Sequence, residues 1–234
     1  MRGCLRLTTL LAAVASLWLG WKAVTWPDVA ALAKTDPETT AFIERFKASR
    51  RAQGQNTEVA WRWVRYDAIS PHLKRAVLVS EDIEFFDHEG FAVEEIKAAV
   101  RDAVRRRKMP RGASTITQQL AKNLWLSPSR NPLRKLEEAL LTRQLERHLE
   151  KRRLLEIYLN IVELGTGIYG AEAGARHYFG KSAAALNEAE AAQLAASLPR
   201  PSHWYPGSAS RVYRQRVARI RQRMDKATFL RRLI

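Results

Sequence analysis

Ser80-Glu81-Asp82-Ile83-Glu84-Phe85-Phe86-Asp87-His88-Glu89-Gly90 gathers five carboxylates, a histidine and two aromatic rings into eleven residues and closes on a glycine. An acidic cluster alone is usually a solvated turn at a helix entrance. Here the apolar run Ala76-Val77-Leu78-Val79 leads into Glu81, and an amphipathic pattern starts soon after Gly90. Glu81 is therefore expected at the edge of a buried element, where partial loss of water makes a carboxylate a usable general base.

Two further stretches could act with it. In Pro110-Arg111-Gly112-Ala113-Ser114-Thr115-Ile116-Thr117-Gln118-Gln119-Leu120-Ala121-Lys122-Asn123, hydroxyl and amide side chains follow a glycine. They suit a helix cap or a polar cleft wall better than a helix interior, so Ser114 or Thr115 reads as an N-cap. A helix N-terminus is also an anion site, and both readings can hold together. Downstream, Asn131-Pro132 signals a cap followed by proline at the first helical position. Arg134 and Glu138 then share a face, where an intrahelical ion pair is the plain explanation.

The remaining chain must position these groups. Its 234 residues, 46% hydrophobic, allow one sizeable domain and an appendage. Forty basic residues against 24 acidic ones give a charge of +16, which attracts something anionic. Nucleic acid, anionic headgroups and pyrophosphate-bearing substrates all meet that condition. The single cysteine, Cys4, rules out an internal disulfide framework and a cysteine-based zinc site.

In chain order, Arg2 and Arg6 precede a mostly apolar run over 7–24 that ends near Trp26-Pro27. Its length is just sufficient for a membrane-spanning anchor, with Trp18, Trp21 and Trp26 at the far interface. A cleaved signal peptide is the alternative, disfavoured by the lack of a convincing small-x-small cleavage site. The charge bias leaves the N-terminus in the cytoplasm. Residues 27–60 read as a membrane-proximal spacer with a helical pattern around 37–46, and Val59, Trp61, Trp63 and Val64 as a short strand. Beyond Pro71 the pattern is helical almost throughout. Val93, Ile96, Val100 and Val104 mark one face of 92–108, opposite Arg101, Arg105, Arg106, Arg107 and Lys108. Leu133, Leu136, Leu140, Leu145 and Leu149 suggest a buried stripe, and Glu156 a structural partner for an arginine. Asn187 and Glu190 form a capping box ahead of an alanine-rich helix that stops at Pro199. The divisions are thus 1–26 anchor, 27–60 spacer, 61–210 domain and 211–234 basic tail.

Taken together the motifs become specific. Glu81-Asp82-x-x-Phe85-x-x-His88-x-Gly90 resembles the first motif of the family 51 glycosyltransferases, the peptidoglycan glycosyltransferases. Gly112-x-Ser114-Thr115-Ile116-Thr117-Gln118-Gln119 with Lys122-Asn123 is similar to the second. Arg134-Lys135-x-x-Glu138 with Leu145-Glu146 resembles the third, although Thr142 stands where alanine is expected. Leu155-Glu156-x-Tyr158-Leu159-Asn160 through Gly165, Gly170 and Tyr178-Phe179 resembles the fourth. The ordered matches cover about 75–200. The likeness is to monofunctional members: the chain ends at Ile234, and no serine is followed by lysine at the third position, so neither a penicillin-binding domain nor an SxxK nucleophile is expected.

The resemblance implies a mainly α, lysozyme-like glycosyltransferase domain on an N-terminal transmembrane helix, at the bacterial inner membrane and facing the extracytoplasmic side. It implies polymerisation of lipid II onto a lipid-linked glycan strand, with inversion and release of polyprenyl pyrophosphate. Carried over residue by residue, it makes Glu81 the base, with Asp82, Phe85 and His88 around it. Glu138 is a second catalytic carboxylate that steers the sugar or holds a divalent ion, magnesium or manganese. Lys122 and Arg134 bind phosphate oxygens, while Ser114, Thr115, Gln118, Gln119, Asn123 and Lys135 complete the substrate contacts. No organic cofactor is expected. The partners implied are lipid II, the growing strand, the membrane, and proteins of cell-wall synthesis and division, with no nucleic acid. A lytic muramidase is the first competing reading. A basic membrane-tethered module that binds nucleic acid or anionic lipid is the second; it explains the charge but neither the carboxylate cluster nor the paired Gln118 and Gln119.

Overall fold

The computed structural model describes residue 20 and residues 24–92, 114–129 and 131–234. The anchor expected over 7–24, the amphipathic stretch over 92–108 and the residues up to Ala113 lie almost wholly outside the described residues. Among those described, no helix is long and apolar enough to cross a membrane.

The fold is mainly helical and is organised around helix α2 (Pro71–Glu81), which follows α1 (Ala41–Ala52) and a short strand β1 (Ala60–Trp61). Ser70 caps α2, and proline opens its first turn. Every residue from Leu73 to Val79 is buried, Lys74 and Arg75 included. A helix covered on all sides sits inside the molecule, and this one runs through the core and delivers Glu81 at its C-terminus.

After the loop come α3 (Ile116–Trp125), α4 (Pro132–His148) and α5 (Lys151–Ile161). Next are β2 (Glu163–Gly165), β3 (Ile168–Tyr169), α6 (Ala171–Phe179), α7 (Glu188–Ser197) and α8 (Arg211–Lys226). Helix α2 packs on α7 and α8, while α3 packs on α1, α4 and α5. The sheet has the order β1-β3-β2, parallel between β1 and β3 and antiparallel between β3 and β2, with an irregular register at Glu163 and Gly165. Asn160 fastens it to α5. Its amide exchanges hydrogen bonds with Val64 N at 2.9 Å and Val64 O at 2.8 Å, and its carbonyl accepts from Trp61 Nε1 at 2.7 Å.

The capping signals at Thr115, Asn131 and Asn187 appear as caps of α3, α4 and α7. Other expectations change. In α4 the buried residues are Glu138, Leu141, Thr142 and Leu145, whereas Leu133, Leu136 and Leu140 are 53%, 57% and 48% exposed. Only the Leu145 and Leu149 end of the expected stripe is buried, because α3 meets a face of α4 turned away from the first three leucines. Residues 27–60 contribute Val29, Leu32 and Ile43 to the interior rather than serving only as a spacer. The basic segment set apart at 211–234 forms α8, whose Tyr213, Ile220 and Met224 are buried against the core. Glu156 meets the sequence reading: it pairs with Arg153 and accepts Tyr66 N at 2.6 Å.

Candidate active site

Helix α2 ends where Asp82 N donates to Leu78 O, and the chain turns through 82–90. Asp82 then locks that loop to α3. Its Oδ2 accepts the free amide of Ile116, at the first turn of α3, at 2.8 Å, and His88 Nε2 lies 3.0 Å from Oδ1. Gly90 N donates to His88 Nδ1 at 3.0 Å, which assigns the ring proton to Nε2 and directs it at Asp82. Thr115 Oγ1 closes the arrangement by donating to Gly90 O at 2.7 Å. Gly90 has φ of 88°, and a Cβ there would lie 2.7 Å from Thr142 Cγ2 on α4. A glycine is required at this point for both conformation and space.

Five residues expected to touch substrate therefore stand behind the site wall. Asp82, Phe85, Thr115 and Gln118 are buried at 3%, 0%, 2% and 5% exposure, and the His88 side chain is 8% exposed. Phe85 packs edge-on against Phe86 beneath the Lys151 ammonium, and Gln118 completes the capping box of α3. Asn123 is also buried, whereas Ser114 is exposed.

Glu81 lies on the open side. Its Oε1 accepts from Arg216 Nη2 at 2.8 Å and from Ser80 Oγ at 2.9 Å, and its Oε2 accepts from Gln119 Nε2 at 3.1 Å. Gln119 Oε1 in turn accepts the Tyr158 hydroxyl at 3.0 Å. Burial raises the Tyr158 pKa well above its ordinary value, and the charges of Glu81 and Asp82 raise it further, so this hydroxyl remains a donor.

One helical turn beyond Gln119, Lys122 shares its face of α3. Burial lowers its pKa, and its ammonium feels Glu138, Arg134, Lys135 and Glu81, in descending order of influence. Lys122 Nζ lies 5.7 Å from the Phe42 ring centroid and has no ion pair among the described residues. On α4, Glu138 is 3% exposed; Arg134 Nη1 meets its Oε2 at 2.6 Å, and Lys135 Nζ meets its Oε1. Arg134 Nε is also tied to Ser129 O at 2.5 Å. Glu81 and Gln119 thus meet beside α3, and Arg134 and Lys135 bind Glu138 on α4, the helix packed against α3. A carboxylate held at both oxygens by cations is a poor sole ligand for a divalent ion. Among the described residues no group of three or more acidic, histidine or cysteine side chains is arranged to hold a metal. The described residues do not fit a protein-held cation at Glu138.

Three members of the Glu81 network were absent from the expected site residues: Ser80 and Arg216, which bond Glu81, and Tyr158, which bonds Gln119. Arg216 comes from α8, and the signal for it was the stripe Tyr213, Val217, Ile220 and Met224, whose helical spacing marks a packed helix. Tyr158 lay in the fourth motif, but no spacing rule directs a hydroxyl from α5 at Gln119. A second buried network supports the loop: Glu146 accepts Thr117 Oγ1 at 2.6 Å and Lys151 Nζ, and Lys151 also donates to His88 O.

The geometry offers a fixed carboxylate beside a cationic wall, suited to deprotonating a hydroxyl near a polyanion. Among known proteins, the Transglycosylase family matches residues 46–225, from α1 to nearly the end of α8. The chain belongs to the transglycosylase family. A biosynthetic peptidoglycan transglycosylase of Thiobacillus denitrificans is 44% identical over 209 residues, 89% of this chain and 87% of that protein. One of Aromatoleum aromaticum is 43% identical over 231 residues, 97% of each chain. Another, of Chromobacterium violaceum, is 42% identical over 212 residues, 88% of this chain and 90% of its own. This transglycosylase is therefore a glycosyltransferase of peptidoglycan synthesis, and α8 belongs to its domain.

Proposed function

We propose that the enzyme polymerises lipid II into glycan strands by an inverting transfer with Glu81 as general base. The donor is the growing strand, linked at C1 to a polyprenyl pyrophosphate, and the acceptor is the sugar 4-hydroxyl of lipid II. The hydroxyl oxygen attacks C1 as its proton passes to Glu81. The C1–oxygen bond to phosphate breaks on the opposite face, and the pyrophosphate leaves with the electron pair. A glycosidase must protonate its leaving group; a pyrophosphate departs without that help if its charge is met.

Lys122 meets it best, as a desolvated ammonium with no ion pair among the described residues. Arg134 and Lys135 add charge-assisted donors, and Glu138 holds them in place from beneath. No transpeptidase step belongs to the proposed reaction. The observation that carries this reading is the hold on Glu81, whose Oε1 accepts from Arg216 and Ser80 and whose Oε2 accepts from Gln119, one turn before Lys122 on the same face of α3. The enzyme works on a lysozyme-like helical domain held at the extracytoplasmic face of the inner membrane by a helix over 7–24, in company with other proteins of cell-wall synthesis and division.

Incubation of the full chain with lipid II tests the proposal. Polymer is expected, with Glu81→Gln slower by ~100-fold or more. Solubilisation of finished sacculi without polymer would instead establish a lytic enzyme.

A further inference from the structure

We infer that Tyr158 is a positioning residue for the transfer: its buried hydroxyl fixes the Gln119 side-chain amide so that an N–H, rather than the carbonyl, faces Glu81. The inference rests on the reading of Glu81 as the base.

The two ends of a glutamine amide have nearly the same shape, so packing alone does not choose between them. In the observed orientation Nε2 donates to Glu81 Oε2 at 3.1 Å, with a long 3.5 Å approach to Ser114 O. Turned by half a revolution, the amide would set its carbonyl oxygen against a carboxylate oxygen at the same separation, with no proton between them. The Tyr158 hydroxyl adds to the penalty on that state, since it would have to accept from the turned amide instead of donating to it. Tyr158 is fully buried on α5, and its hydrogen bond to Gln119 Oε1, at 3.0 Å, is the one its hydroxyl makes among the described residues. Rotating the amide would leave the hydroxyl oxygen an acceptor but its proton without a partner, at a cost, because a buried donor loses its water without replacement.

The consequence is a carboxylate fixed at both oxygens. Arg216 from α8 and Ser80 hold Oε1, while Gln119 holds Oε2. The other charges facing it are Lys122 across α3 and Asp82 behind it, the latter already engaged by His88 and Ile116 N. With its plane set, Glu81 keeps one direction open for the incoming hydroxyl, the pre-orientation that general-base transfer needs. Gln119 spends both ends of its amide within the protein, so it serves Glu81 rather than the sugar.

Steady-state polymerisation of lipid II by the full chain in detergent tests this with Tyr158→Phe, Gln119→Ala and the double variant, all assayed well below their melting midpoints. Loss of one hydrogen bond in a chain to a charged group predicts a fall in kcat of ~10-fold for Tyr158→Phe, with KM nearly unchanged. Acting only through Gln119, Tyr158→Phe adds no further loss in the Gln119→Ala background. A wild-type kcat for Tyr158→Phe, or losses that multiply in the double variant, overturns the inference. Glu81→Gln is assayed alongside. If it retains wild-type kcat, the base assignment fails and the inference with it; if it is inactive while Tyr158→Phe is unaffected, only the positioning role fails.

Discussion

Removal of Arg216 tests whether α8 is part of the machinery or merely covers the fold. Its Nη2 bridges Ser80 Oγ at 2.7 Å and Glu81 Oε1 at 2.8 Å, and the charged side chains are 24% and 14% exposed. A hydrogen bond to a charged group contributes about 1.5–3 kcal/mol, and stranding one partner of a buried ion pair costs about 3–5 kcal/mol. Partial exposure brings Arg216→Ala toward the lower end, about 2 kcal/mol. For a domain of this size that lowers the melting midpoint by about 4–8 °C. Arg216→Lys restores charge without the guanidinium fork and should recover part of the loss. Thermal unfolding gives the stability change, and lipid II turnover below the midpoint gives the rate. Glu81 would then retain Ser80 and Gln119 but lose its only ion pair among the described residues, so kcat should fall as well. A midpoint shift below about 1 °C together with wild-type turnover would refute the assignment of Arg216 to the site.

Lys122 and Gly170 give independent checks. Burial lowers the Lys122 pKa from its ordinary 10.5, so activity should decline on the alkaline side at a lower pH than for a solvated lysine, and Lys122→Arg should move that limb upward. Between the lowered folded value and the unfolded value, the unfolded chain holds the extra proton. Wild-type stability should therefore rise with pH relative to Lys122→Met in that window, as denaturant titrations at two alkaline pH values would show. Gly170 has φ of 81°, and a Cβ there would lie 2.3 Å from Asn160 O. Backbone conformation and overlap both oppose Gly170→Ala, which should cost about 3 kcal/mol or more in urea unfolding.

The parts of the fold that local chemistry decides were legible in the sequence. Thr115, Asn131 and Asn187 cap helices because their side chains reach amides two or three residues on, a contact that needs no distant partner. The run into Glu81 was readable because α2 is buried around its whole circumference. Helix α4 was not, since leucines lie on more than one of its faces and only the packing of α3 selects Leu141 and Leu145 over Leu133, Leu136 and Leu140. Phe85, Thr115 and Gln118 matched a motif without revealing that they face inward. Asp82 and His88 joined the site through a loop-to-helix lock spanning 34 residues, a pairing that periodicity does not encode. Arg216 was hidden because residues 211–234 lie beyond the four motifs and read as a basic tail set apart from the domain.

The most direct test of the central claim is the rate at which the full chain and its Glu81→Gln variant convert lipid II into polymer under identical conditions. Glycan polymer is expected from the wild type and a rate lower by ~100-fold or more from the variant, both assayed below their melting midpoints. Polymerisation by Glu81→Gln at the wild-type rate would contradict it.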